Sequence, residues 1–252
     1  MIFHEGLERA LRRLETRGTL EDADREAFRA LPFTYRPMEP NTYLVREGET
    51  PVHCGILLSG FAYRHKITGE GERQILSVHM AGEFLDLQNS FLGVADHNVQ
   101  ILTRAEVAQI AIPELVRLVA DHPRLARALW IDTLIDSAVF REWLVNVGRR
   151  PSISRIAHLL CELALRLRSA GLADNGRYEL PMTQEHLADA TGLTAVHVNR
   201  VLRELGRTGL IARNKRSVEI LDWPGLSGVG DFSLRYLHQE VGGPNPPPRS
   251  WP

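Results

Sequence analysis

Residues 180–221 read LPMTQEHLADATGLTAVHVNRVLRELGRTGLIARNKRSVEIL, and this stretch decides the architecture. Thr183 stands at an N-cap position before a short segment, Gln184 to Ala190, with apolar Leu187 and Ala190. Gly192 follows, a residue that tolerates positive φ where the chain must turn sharply. Small Ala188, four residues earlier, lets a second helix cross closely. Thr194 can cap that helix, whose Val198, Val201, Leu202 and Leu205 form an i, i+3, i+4, i+7 stripe. Its opposite face carries Val196, Asn199, Arg200, Arg203 and Arg207. Leu210-Ile211-Ala212-Arg213 and Ser217-Val218-Glu219-Ile220 then flank a turn at Asn214-Lys215, a tight hairpin. Between Thr194 and Ser217 lie six Lys/Arg and one Glu, in a chain whose net charge is −1. Positive charge is therefore gathered where phosphates would lie. Two short helices and a wing are a device for placing one helix in the DNA major groove. An amphipathic hairpin with solvated charges is the alternative; the glycine alone does not separate the two, but spacing, wing and charge together favour DNA.

The 252 residues suffice for more than one core, and 44% hydrophobic with 24% charged residues is ordinary globular composition. No apolar run is long enough to span a bilayer. The first residues carry Glu5, Glu8 and Arg9 instead of a signal-peptide core, which predicts a cytoplasmic protein without a membrane role. Cys54 and Cys161 lie far apart and cannot supply a four-thiolate cluster; a structural disulfide does not suit that compartment.

Outward from the motif, the texture predicts five regions. Residues 1–31 form a helical segment, marked by Leu7, Leu11, Leu14, Leu20, Phe28 and Leu31. Residues 32–112 hold short β-type runs, and glycines recur at 48, 60, 71, 82 and 93, the turn rhythm of a compact antiparallel sandwich or barrel. Residues 113–150 hold a short helix started by Pro113 and a longer one from Pro123 to about Val147. On the latter, Ala128, Ile131, Ile135 and Ala138 fall at 3,4,3 spacing, a coiled-coil seam that predicts a dimerisation helix. Arg149, Arg150 and Pro151 mark a hinge into a DNA-binding domain over 151–223, opened by a packing helix from Ile153 to Leu167. Residues 224–252, ending in GGPNPPP and its flanks, are expected to be a flexible tail. The fold class is thus α+β: an N-terminal antiparallel β-roll (a double-stranded β-helix), a long dimerisation helix and a C-terminal winged helix-turn-helix.

This layout over roughly residues 25–222 resembles the Crp/Fnr family of bacterial transcription regulators. The segments that carry the resemblance are Arg46-Glu47-Gly48-Glu49, Gly82-Glu83-Phe84 and Thr183 through Leu210. The resemblance implies a homodimer on a two-fold operator, with a sensor domain governing DNA affinity. Double-stranded DNA, a second copy of the chain and RNA polymerase are the expected partners; no catalytic residue and no metal site is expected.

The family's cyclic-AMP binders follow the Gly-Glu of the roll with a Glu for the ribose and an Arg-Ser or Arg-Thr pair for the phosphate. Here Leu87 takes the ribose position, and the phosphate pair falls near Ala95-Asp96. An anion needs a cation or clustered N–H donors, so cyclic AMP is not the expected effector. The oxygen-sensing branch carries an N-terminal cysteine cluster, and residues 1–30 contain no cysteine; an iron–sulfur cluster is not expected either. Haem stays open, since His53, His65, His79 and His97 lie in the roll, but their spacing matches no metal motif and suits strand or surface histidines better. Glu83, Asp86, Gln88 and Asn89 are candidates for an effector pocket, or satisfy a turn. The effector is otherwise unspecified.

In the family an Arg on the reading helix contacts guanine and a Glu accepts from cytosine. Arg200 falls on the Arg position and suits guanine O6 and N7. Val196 falls on the Glu position; it can touch a thymine methyl but accepts no hydrogen bond, or it packs on the wing. Asn199 suits adenine or a phosphate, while Thr194, His197, Arg203 and Lys215 suit phosphates. Two other classes compete. A cupin-type metal enzyme needs a His-x-His pair, which the isolated roll histidines do not supply. A signalling module would use the winged domain on a protein partner, with a near-zero salt slope on DNA.

Overall fold

A computed structural model describes residues 4–174 and 176–238. The chain divides into two compact units, Met1–Asp136 and Ser137–Pro252. The division falls inside the long helix, whereas the sequence placed the domain boundary at residue 150.

The first unit opens with two helices, α1 (Glu5–Glu15) and α2 (Asp22–Arg29), where the sequence suggested one helical segment. Residues 16–20, with Gly18 among them, interrupt them. His4 caps α1 by accepting from the Gly6 N–H, and Glu21 and Asp24 form a reciprocal capping box on α2. Seven strands follow: β1 (Thr34–Met38), β2 (Tyr43–Val45), β3 (His53–Ser59), β4 (Phe61–Ile67), β5 (Arg73–Met80), β6 (Asn98–Ile101) and β7 (Ala105–Ala111), with the one-turn helix α3 (Asn89–Leu92) between β5 and β6. They pair antiparallel in two sheets, ordered β1-β7-β3 and β2-β6-β4-β5. Pro37 sits in edge strand β1, where its missing N–H costs no ladder bond.

Leu57 and Val107 from one sheet pack with Val45, Ala62, Val99 and Ile101 from the other, which makes the interior of the roll. The outer face of the first sheet, with Ile56, Leu58, Ala108 and Ile110, packs against Leu7, Ala10, Leu11 and Leu14 of α1. Glycines 48, 60, 71, 82 and 93 all adopt positive φ, so the rhythm read in sequence is a rhythm of left-handed turns. At Gly60 the need is also spatial, because a Cβ there would lie 2.4 Å from the Arg104 carbonyl oxygen.

The roll leads into α4 (Ile112–Asp121) and α5 (Pro123–Arg149). At ~1.5 Å per residue, α5 is about 40 Å long. The expected seam is corrected here. Ala128 is fully buried in the core that α1, α2 and α4 share, Ile135 and Ala138 are also buried, and Ile131 is half-buried. The apolar side chains that α5 leaves exposed are Trp130 (68%) and Leu134 (51%) in the first unit, then Phe140, Leu144 (67%) and Val145 in the second.

The second unit continues with α6 (Ser152–Ser169), β8 (Ala173–Asp174), β9 (Arg177–Glu179), α7 (Gln184–Thr191), α8 (Ala195–Arg207), β10 (Ile211–Asn214) and β11 (Ser217–Ile220). The sheet order is β10-β11-β9-β8. Ile156, Leu159, Leu160, Leu163 and Leu167 bury the stripe of α6. The tail expected from residue 224 is also corrected. Helix α9 (Trp223–Val229) and a 3-10 turn (Leu234–Leu237) bury Trp223, Leu226 and Leu237. The proline-rich run beyond residue 238 lies outside the described residues.

Candidate DNA interface and sensor site

The reading helix is framed by its caps. Thr183 Oγ1 accepts from the His186 N–H at 3.2 Å to start α7, and Thr194 Oγ1 accepts from the His197 N–H at 3.3 Å to start α8. Between them Gly192 is left-handed at φ 63°, and a Cβ there would press on Val147 at 3.2 Å. Arg155 on α6 donates to the Thr191 carbonyl oxygen at 2.9 Å and so braces the turn. Val198, Val201, Leu202 and Leu205 are buried, as their stripe requires.

The remaining face of α8 is open. Val196 is 82% exposed, and Arg200, Arg203 and Arg207 continue the stripe at i+4, i+7 and i+11, all exposed. Asn199 and His197 flank it, half-buried. An Arg200 guanidinium N–H meets His197 Nε2 at 3.0 Å, so His197 holds the fork from one side. Lys215 occupies the tip of the wing in a left-handed conformation at φ 53°. Arg213 and Arg216 are exposed beside it. These two, and the brace Arg155, were not singled out from the sequence. The run Arg213-Asn214-Lys215-Arg216 carries a signal for the first two; nothing local marks Arg155, whose partner is 36 positions away.

The four residues expected to line an effector pocket have neighbours within the chain, while Asp86 Oδ1 and Asn89 Oδ1 are buried without a hydrogen bond among the described residues. Glu83 is buried, accepts from Arg13 at 3.0 Å and lies 3.3 Å from His79 Nδ1. Asp86 is buried, takes a hydrogen bond from the Asn89 amide and lies 3.3 Å from His97 Nε2. The Gln88 side-chain oxygen accepts from Arg64 at 3.4 Å. Arg64 in turn donates to the Leu85 carbonyl oxygen at 2.9 Å and pairs with Asp136. The Arg64 charge, after the opposing effect of burial, keeps the Asp136 carboxyl below its usual range. Arg13 and Arg17 both reach Asp132, each at 3.0 Å. Of the pair expected near the phosphate position, Ala95 is buried in the roll interior and Asp96 pairs with His97 at 2.7 Å.

Of the roll histidines, His53 is exposed, whereas His65, His79 and His97 are buried. Burial, then the nearby Arg64 charge, holds His79 below the ordinary histidine range. Among the described residues no three His, Cys, Asp or Glu side chains are grouped to hold a metal ion, and no helix is long and apolar enough to cross a membrane.

Comparison with known proteins fits this arrangement. The profile of a cyclic nucleotide-binding domain matches residues 35–122, and that of a Crp-like helix-turn-helix domain matches residues 154–229. The transcriptional activator protein FnrA of Stutzerimonas stutzeri is 26% identical over 199 residues, covering 79% of this chain and 81% of the relative. The transcriptional regulatory protein btr of Bordetella pertussis is 30% identical over 158 residues, 62% of this chain and 64% of the relative. The solved structure of FixK2 from Bradyrhizobium japonicum superposes with a TM-score of 0.73 at 22% identity, covering 79% of this chain and 98% of that one.

Proposed function

This chain belongs to the Crp/Fnr family of DNA-binding transcription regulators, and from that footing we propose that it reads a two-fold operator as a homodimer, each copy laying α8 in a major groove. The exposed stripe Val196, Arg200, Arg203 and Arg207, framed by Thr194 and the Lys215 wing, carries the reading. Arg200 takes guanine, and Asn199 takes adenine or a phosphate. Thr194, His197, Arg203 and Lys215 meet phosphates and set the register. Val196 replaces a cytosine acceptor with an apolar contact to thymine. Trp130 and Leu134 on α5 supply apolar surface for pairing two copies. RNA polymerase is the further partner, since a regulator alters transcription only through it, and the cytoplasm of a bacterium is where the chain works. The reading assigns no catalytic group.

The sensor role is proposed without cyclic AMP. Leu87 and Ala95 stand at the ribose and phosphate positions, and the cations beside them are already engaged: Arg64 is bound to Asp136 and the Leu85 carbonyl, and Lys66 donates to the Asp96 carbonyl oxygen at 2.7 Å and pairs with Glu47. Calorimetry is expected to give no heat with cyclic AMP, and a micromolar dissociation constant would overturn this. For the DNA reading, fluorescence anisotropy of a labelled duplex across a salt series is the test. Affinity should fall steeply with salt, and Arg200→Ala should weaken it by about 1–3 kcal/mol, the worth of one base contact. A log–log slope near zero would transfer the winged domain to a protein partner.

A further inference from the structure

The helix-turn-helix profile ends at residue 229 and begins at 154. The elbow between α5 and α6, at Arg150-Pro151, precedes it, and the segment 230–237 follows it. These two outlying pieces meet. The Arg150 side chain is 9% exposed, and its guanidinium donates to the Asp231 carboxylate at 3.2 Å and to the Asp231 carbonyl oxygen at 3.2 Å, while also pairing with Glu142 one helical stretch back. The Arg150 carbonyl oxygen accepts from Arg155 Nε at 2.8 Å. That same guanidinium donates to Thr191, the residue before Gly192. A continuous series of contacts therefore runs from Asp231 through the elbow to the turn that aims α8.

A second set of bonds seats the segment. The Tyr236 hydroxyl donates to Glu162 at 2.8 Å. Glu162 is wholly buried on α6 and also accepts from Trp143 Nε1 at 3.0 Å and from Arg166 at 3.0 Å. One carboxylate thus joins α5, α6 and the segment. His158 lies 3.1 Å from the Gly230 carbonyl oxygen and 3.1 Å from the Tyr236 hydroxyl. Gly230 packs so closely on α6 that a Cβ would lie 2.8 Å from the His158 nitrogen. Phe232 meets the His158 ring edge-on with centroids 5.1 Å apart. A buried guanidinium or carboxylate that loses one of several partners loses that hydrogen bond while keeping the rest, so each contact adds to the resistance against opening.

We propose that residues 230–237 form a clasp that fixes the α5–α6 elbow, which makes Asp231 and Tyr236 positioning residues for DNA binding by α8. Neither residue lies on α8 or the wing; they act through Arg150, Arg155 and Glu162. The proposal rests on the DNA-reading function above.

The test uses the full chain and a labelled duplex of about 30 base pairs selected by the wild-type protein from a randomised pool. Asp231→Ala and Tyr236→Phe should each weaken binding about tenfold. The salt slope should stay unchanged because no phosphate contact is lost. Amide exchange should quicken at 150–156 and 190–194, and Asp231→Asn, which keeps an acceptor for Arg150, should recover most of the affinity. Asp231 is an exposed side chain whose backbone is left-handed at φ 46°, so Asp231→Gly, free of backbone strain and without the carboxylate, must weaken binding like Asp231→Ala, and this pair tests the idea even if Tyr236→Phe unfolds. Binding within twofold of wild type in Asp231→Ala, or weaker binding with exchange unchanged at both segments, overturns the clasp. A wild-type chain that selects no duplex overturns the DNA reading beneath it instead.

Discussion

Arg200 and Val196 illustrate what a single position decides. Both sit on the open face of a helix whose other face is buried, so their exposure follows from the spacing of Val198, Val201, Leu202 and Leu205 alone. Arg200→Ala should cost about 1–3 kcal/mol of discrimination at one base pair, read as a flattened preference in a binding-site selection. Val196→Glu should bring a cytosine preference into the half-site, and selected sites identical to those of the wild type would refute the role given to Val196. The effector-pocket residues were not legible in this way. Glu83 and Gln88 find their partners in Arg13 and Arg64, 70 and 24 positions away, and sequence spacing carries no sign of such pairings. Burial also sets an acid limit on stability. His79 and His158 are both held below the ordinary value of 6.5, chiefly by burial. Below that value the unfolded chain binds protons that the fold refuses, so stability is complete above it and declines as pH falls toward the depressed values. The urea midpoint should drop as pH is lowered below about 6.5, and His158→Gln should flatten part of the drop.

Elements were legible where the signal is local. The left-handed glycines and the caps Thr183 and Thr194 needed no tertiary knowledge. Helix α5 was legible as a helix, but which of its faces stays open was not. Its 3,4,3 seam is a sound period, yet Ala128 packs into the core with α1, α2 and α4, Ile135 and Ala138 are buried too, and Trp130 and Leu134 are left outside. Trp130→Ala with Leu134→Asp should weaken dimerisation by about 2 kcal/mol or more, seen by sedimentation, with helicity retained. Ala128→Leu should instead lower thermal stability by about 1–3 kcal/mol through overpacking. The segment after the wing was hidden for another reason. Its glycines and prolines suggested a tail, and Trp223 and Leu226, one helical turn apart, are too few to show a stripe, with Leu237 well beyond them. Helix α1 is pinned just as firmly: a Cβ at Gly6 would lie 2.6 Å from the Leu58 Cα, so Gly6→Ala should loosen α1 from the roll, measurable as a lower urea midpoint.

Across the molecule, composition and periodicity were enough to place a roll, a long helix and a winged reader in order, because each has its own period. They could not say where the compact units part, since that depends on which turns of α5 each unit captures. Trp143 and Glu142 are bound to α6 and the elbow, which draws the last turns of the helix into the second unit. The thiols carry a final, practical consequence. Cys54 and Cys161 are both free and buried, and burial pushes the Cys54 thiol up to about 12 and the Cys161 thiol far above its usual range. Neither offers thiolate to a reagent in the folded chain. A cysteine installed at Val196 or Trp130 would be the one that maleimide dyes modify, so probes can be placed on the reading helix or the long helix without first stripping the native sulfurs from the protein.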